Sequence, residues 1–212
     1  MRPFSPPALT LAKIAQSCNA QTSISQADLA KLVVSGVTHN DGDVIPGDLF
    51  IAIPGAKRHG AEFAESAKKR GAIAVLTDLS GAKLINDLPV LVVEDPRLIA
   101  GRIAAHLYSE PMRDLSCIAI TGTNGKTTVT TLLHQIFEAA HRECGLIGTV
   151  ETRIGSEILA SKRTTPEATD LQALAAVMRE RHMRHLVIEA SSHALQLHRL
   201  EGAHFALAGF TN

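Results

Sequence analysis

Eight consecutive residues, Thr121-Gly122-Thr123-Asn124-Gly125-Lys126-Thr127-Thr128, carry the strongest chemical signal in this 212-residue chain. Glycines let backbone N–H groups turn toward an anion, a helix starting after them adds partial positive charge, and a Lys at that point reaches phosphate oxygens. The hydroxyl of Thr127 stands where such loops give Mg²⁺ an oxygen ligand. The run therefore reads as a phosphate loop for ATP and Mg²⁺, contacted by Gly122, Thr123, Asn124, Gly125, Lys126, Thr127 and Thr128. Its spacing is shorter than G-x-x-x-x-G-K-[ST], because Ile120 occupies the first glycine position. The bland alternative is a Gly-containing turn. Against it, an apolar run, Cys117-Ile118-Ala119-Ile120, leads in and an amphipathic stretch follows at once, the strand–loop–helix context the chemistry needs.

A phosphate loop also needs an acid at the end of a neighbouring strand to hold the metal or its waters. Leu186-Val187-Ile188-Glu189 supplies one. Alone, a Glu after an apolar run is a solvated strand end, but paired with the loop upstream Glu189 becomes a metal-ligand candidate.

The elements that must position these groups follow an α/β pattern. Apolar spacing predicts a helix over 9–20, strands over 32–37, 49–53, 72–76 and 90–93, and helices over 61–70 and 96–108. Asp95-Pro96 starts the last of these as N-cap and first-turn proline, and Glu110-Pro111 closes it. The pattern then restarts: a buried strand over 116–120, a helix over 126–141, a hairpin over 149–161 turning at Gly155-Ser156, a helix over 169–182 and a buried strand over 185–188. Residues 205–210 read as a further strand with no helix after it to cover it, which leaves the second sheet incomplete. Two domains are expected, 1–111 and 112–212, both α/β and the second with a parallel sheet.

Composition narrows the function classes. Apolar residues make up 45% and charged residues 20%, the balance of a chain with a packed core. Lys plus Arg and Asp plus Glu number 21 each, so no net field draws the chain to nucleic acid. With no Trp and one Tyr, stacking surface for bases is also scarce. Cys18, Cys117 and Cys144, widely spaced and odd in number, suit reduced thiols. Residues 1–7 hold three prolines and no signal-peptide apolar run, and nowhere do eighteen apolar residues run together, so a cytoplasmic protein without a membrane segment is expected.

Three motifs, GTNGKTT (122–128), TTPEA (164–168) and EASSHAL (189–195), together resemble the Mur ligases of peptidoglycan synthesis, most of all the MurE-type branch. Upstream, Pro46-Gly47-Asp48-Leu49-Phe50 and Gly55-Ala56-Lys57-Arg58-His59-Gly60 resemble the family's UDP-binding domain, so the likeness runs from about Leu32 to the end. It implies an ATP-dependent carboxylate–amine ligase that adds a diamino acid, meso-diaminopimelate or L-lysine, to UDP-N-acetylmuramoyl-L-alanyl-D-glutamate through an acyl phosphate. It implies catalytic roles for Lys126, Glu189 and His193, Mg²⁺ near Thr127, Glu189 and His193, and substrate contacts at Ala56, Lys57, Arg58, Thr164, Thr165, Ser191 and Arg199. Each has a bland alternative: Thr165-Pro166-Glu167 as a helix start capped by Thr165, His193 as a surface histidine, Arg199 as part of a solvated face, Lys57-Arg58 as a loop pair.

Two departures stand out. Where the family carries Asp-Ser-Arg, this chain reads Asn40-Asp41-Gly42, and a carboxylate beside a diphosphate is unfavourable unless it points away. The family's carbamylated lysine and its amino-acid-selecting domain lie downstream of the position of Phe210-Thr211-Asn212, so the 212 residues are expected to bind ligands without turning over. The alternative from another class is a non-catalytic ATP- and UDP-sugar-binding protein derived from such a ligase.

Overall fold

The computed structural model of the chain describes residues 1–5, 8–161 and 163–212, and divides into two compact units, 5–109 and 110–212, with residues 1–4 belonging to the second.

In the first unit, β1 (Leu9–Thr10) leads into α1 (Leu11–Ser17), then α2 (Gln26–Leu29) and β2 (Val33–Val34), which pairs back onto β1 antiparallel. The helix expected over 9–20 is therefore shorter: Thr10 caps it by accepting from Lys13 N, and left-handed Asn19 (φ 51°) closes it. The strand expected over 32–37 is split, since Ser35 N bonds Gly47 O and β3 (Gly36–Thr38) joins a different sheet.

That sheet is parallel, in the order β3, β4 (Asp48–Ile51), β5 (Ala74–Thr77) and β6 (Val90–Val92). Between these strands lie α3 (Ala64–Arg70) and the short α4 (Leu79–Ala82), and α5 (Pro96–Leu107) follows β6. Every residue of β4 and β5 is buried, as a sheet covered on both faces requires. Phe50 and Val75 pack with Ala61, Ala64 and Ala67 on one face. Leu49, Ile51, Ala74 and Leu76, alternating with them, are fully buried on the other. Asp95 does cap α5, its carboxylate taking bonds from Arg97 N and Leu98 N ahead of the buried stripe Ala100, Ile103, Ala104 and Leu107.

The second unit contains β7 (Ser116–Gly122), α6 (Lys126–Ala139), β8 (Cys144–Ile147), β9 (Glu151–Ile154), β10 (Glu157–Ala160), α7 (Ala168–Glu180), β11 (His185–Glu189), α8 (Ser192–Gln196) and β12 (Leu207–Thr211). Its sheet runs β10-β9-β8-β11-β7-β12; β8, β11, β7 and β12 are mutually parallel, and the β9–β10 hairpin is added antiparallel at one edge. The alternation of β11 sets the layers. Leu186 and Ile188 pack toward Leu171, Ala175 and Met178 of α7, while Val187 packs toward Leu133 and Phe137 of α6.

Two elements here have no counterpart in the sequence expectation, β8 and α8. The helix after TTPEA also starts later than its bland reading required. Its N-cap is Glu167, without a side-chain capping bond, so Thr165 is not a cap. Cys18, Cys117 and Cys144 are free thiols, and burial pushes Cys117 and Cys144 up to about 12. Among the described residues, no helix is long and apolar enough to cross a membrane.

Candidate functional site

The phosphate loop leaves the C-terminal end of β7, the place where parallel α/β sheets receive ligands. Gly122 has φ 133°, and a Cβ there would stand 1.7 Å from Thr211 O, so only glycine lets the loop pass beside β12. Gly125, at φ 78°, is the N-cap of α6 and offers no side chain, leaving the first-turn N–H groups open to an anion. Lys126 folds back over the loop, Nζ donating to Gly122 O at 2.7 Å and Thr123 O at 3.2 Å. Thr123, Asn124 and Thr128 are exposed around it. Thr211, which the sequence reading gave no role, places Oγ1 2.6 Å from Asn124 O and 3.2 Å from Thr121 O.

Glu189 ends β11 beside this loop and is only 1% exposed, which removes the solvated strand-end alternative. Thr127 donates its hydroxyl to Glu189 Oε2 at 3.1 Å, so the two metal candidates are in contact. Thr149 reaches the same carboxylate twice, N donating to Oε1 at 2.9 Å and Oγ1 lying 3.0 Å from Oε2. Thr149 Oγ1 is also 3.0 Å from Thr164 Oγ1.

Thr165 is fully buried; its hydroxyl donates to Glu189 O at 2.7 Å and accepts from Ser191 N at 3.1 Å. Ser191 spends its own hydroxyl as the cap of α8, accepting from Ala194 N. Arg199 does not lie on a solvated face. It is 9% exposed, Nε sits 2.9 Å from Glu167 Oε1 off the line of a hydrogen bond, and Nη1 donates to Thr165 O at 3.5 Å. His193 is exposed on α8, and among the described residues no hydrogen bond or ion pair ties it to Thr127 or Glu189.

Hard oxygen donors, one hydroxyl and one carboxylate, suit Mg²⁺, which takes one or two carboxylates and completes its shell with water and substrate phosphate. Among the described residues, no cluster of three or more His, Cys, Asp or Glu that could hold an ion occurs.

In the first unit, Ala56, Lys57 and Arg58 form an exposed turn after β4, closed by Gly55 N donating to Arg58 O and by the Pro54–His59 bridge. Arg58 is committed sideways: Nε donates to Glu62 Oε2 at 2.9 Å and the guanidinium lies 4.7 Å from the centre of the Phe63 ring. That bond to Arg58, with His59 N behind it, holds the Glu62 carboxyl below its usual range. His59 anchors the turn from beneath, Nδ1 accepting from Ala61 N at 3.0 Å and Nε2 facing Asp78 Oδ1 at 3.2 Å. The Asp41 carboxylate is turned to α3, where Ser66 Oγ donates to it at 2.6 Å.

Residues 120–212 match the Mur ligase middle domain, and residues 33–108 match the Mur ligase family catalytic domain. The UDP-N-acetylmuramoyl-L-alanyl-D-glutamate–2,6-diaminopimelate ligase of Streptomyces avermitilis is 50% identical over 100% of this chain and 41% of its own length. The protein of the same name from Corynebacterium glutamicum is 46% identical over 77% of this chain and 32% of its own. A solved structure of a ligase with that name superposes with a TM-score of 0.77 at 25% identity, covering 97% of this chain and 40% of that one. The chain belongs to the Mur ligase family. It spans about 41% of the length of the first of these relatives.

Proposed function

We propose that this chain carries the nucleotide and UDP-sugar sites of an ATP-dependent ligase of peptidoglycan precursor synthesis. Its substrates are ATP, UDP-N-acetylmuramoyl-L-alanyl-D-glutamate and a diamino acid, 2,6-diaminopimelate by the names its relatives carry. The observation that carries the reading is the contact between Thr127, at the start of α6, and Glu189, at the end of β11, directly beside the phosphate loop. Free thiols, two of them buried, and a need for ATP support a cytoplasmic compartment.

In the proposed reaction a substrate carboxylate oxygen attacks the γ-phosphorus, the bond to the β–γ bridging oxygen breaks, and ADP leaves. The amine nitrogen then attacks the acyl carbon, phosphate leaves with the C–O electron pair, and the nitrogen loses a proton to give the amide. Gly122 to Thr128 hold the triphosphate; Lys126 exchanges its loop carbonyls for phosphate oxygens and offsets their charge. Thr127 and Glu189 would hold Mg²⁺, with His193, exposed on α8 just after β11, as the third residue of the proposed metal set. Bound there, Mg²⁺ withdraws charge from the phosphate oxygens. Thr164 receives the muramoyl peptide, while Ser191 and buried Thr165, whose hydroxyls are held within the fold, shape the backbone beside it, and Arg199 donates to the Thr165 carbonyl. Ala56, Lys57 and Arg58 receive the uridine diphosphate on their turn.

Equilibrium binding of a non-hydrolysable ATP analogue with Mg²⁺ tests this. Lys126→Ala should weaken binding about 10- to 100-fold, the worth of charge-assisted hydrogen bonds, with the melting temperature unchanged because Nζ touches only the loop. Equal affinity in the variant would mean that the loop does not hold phosphate.

A further inference from the structure

How a carboxylate serves as a Mg²⁺ ligand depends on how it is held, and Glu189 is held mostly by one residue outside all three motifs. Thr149, in the segment between β8 and β9, occupies both carboxylate oxygens, one through its backbone N–H and the other through its hydroxyl. The residue before it is shaped to the same end. A Cβ on Gly148 would stand 2.6 Å from Glu189 Oε1, so the carboxylate lies over a glycine. Gly148 is itself pinned, its N–H donating to Glu151 O at 3.0 Å where the hairpin begins.

A hydroxyl carries one proton and can accept as it donates. With Glu189 an acceptor-only carboxylate, the Thr149 proton goes to Oε2, and Thr164 Oγ1 at 3.0 Å is left to donate to Thr149. Thr149 is thus the joint between a residue read as metal ligand and a residue read as substrate contact. Thr127 has a different position. Its hydroxyl and Oε2 would both be ligands of the ion, so theirs is the bond an ion would replace, while Thr149 would go on holding the carboxylate, its N–H on the other oxygen.

We propose that Thr149 is a positioning residue for the Glu189 carboxylate, fixing its orientation for Mg²⁺ without itself touching the metal. This rests on the reading of Thr127 and Glu189 as the Mg²⁺ site. Outer-shell partners of metal ligands typically change metal affinity 10- to 100-fold when removed. Valine has the shape of threonine and keeps the backbone N–H, so Thr149→Val deletes only the hydroxyl.

The test is calorimetric binding of AMP-PNP by the 212-residue chain, with saturating Mg²⁺ and with the metal chelated, for wild type, Thr149→Val and Thr149→Ser. The expected result is that Thr149→Val keeps the metal-free affinity but loses about 10-fold of the Mg²⁺-dependent gain, and that Thr149→Ser recovers most of it. A full Mg²⁺ gain in Thr149→Val overturns the proposal, as does an equal loss with and without metal, which would mark a general packing role. If wild type itself gains nothing from Mg²⁺, the reading of the Thr127–Glu189 metal site fails as well. Circular dichroism melts of both variants confirm that folded protein is compared.

Discussion

The hydroxyl of Thr211 lies 2.6 Å from the carbonyl of Asn124, so the end of β12 straps the tip of the phosphate loop across 87 residues of sequence. The same hydroxyl sits 3.2 Å from Thr121 O, at the loop's entrance. Thr211→Val removes this strap and keeps the side-chain shape. One hydrogen bond contributes about 1 kcal/mol, so nucleotide affinity should fall about 5-fold, read by the same titration as for Lys126. Unchanged affinity would show that the loop keeps its shape without β12.

His59 is expected to matter to UDP binding although it lies under the turn. With a proton on Nε2 its ring serves both neighbours, Asp78 at that nitrogen and the Ala61 N–H at Nδ1. Burial alone would raise the Asp78 carboxyl; Gly81 N, Ser80 and His59 together bring it below its usual range. His59→Ala should weaken UDP binding about 10-fold, with Asn, whose oxygen can replace Nδ1 at Ala61, recovering part of the loss. Were UDP to bind both variants like wild type, the turn would need no anchor.

Arg199 should act first on stability. Deleting one partner of a buried ion pair costs up to about 3–5 kcal/mol, less here because Arg163 Nη1 also lies 3.8 Å from the same Glu167 oxygen. Arg199→Met should therefore lower the denaturation midpoint, and Arg199→Met with Glu167→Gln should restore much of it. If the single variant is as stable as wild type and loses only ligand affinity, Arg199 is a direct substrate contact.

Two histidines give the second unit an acid-sensitive step. His134 is lowered below 6.5 chiefly by burial on α6, and His185 chiefly by burial, with Arg142 adding to it and Phe137 stacked on the ring at 4.5 Å. A folded value below the unfolded one means that the unfolded chain binds more protons, so stability falls as pH drops from about 6.5 toward the depressed values. Thermal melts between pH 7.5 and 5.5 should show this fall, and His185→Phe should flatten it. A pH-independent midpoint across that window would contradict the assignment.

Much of the fold is legible in local sequence. The strand 185–188 and its Glu189 follow from an apolar run too short for a helix, and Asp95-Pro96 marks the start of α5 by cap chemistry alone. β8 escaped because Cys144-Gly145-Leu146-Ile147 is short and contains a glycine whose need is tertiary, a Cβ there meeting Met178 Sδ at 2.5 Å. The contact chemistry of the site was partly hidden for the same reason. Thr149 and Thr211 are ordinary threonines in sequence and acquire their partners only when β8, β11, β7 and β12 lie side by side. The bland alternative for Arg199, a solvated face with His198 and Glu201, fails against a partner that nothing local announces, Glu167.

The hairpin of β9 and β10 rises between Thr149 and Thr164, whose hydroxyls close its base at 3.0 Å. Its tip, Gly155 at φ 59° with open space around the missing Cβ, is thus insulated from the chemistry by a stitched root. A fluorophore or peptide tag grafted at Gly155-Ser156 has somewhere to sit that leaves the working end of the sheet undisturbed.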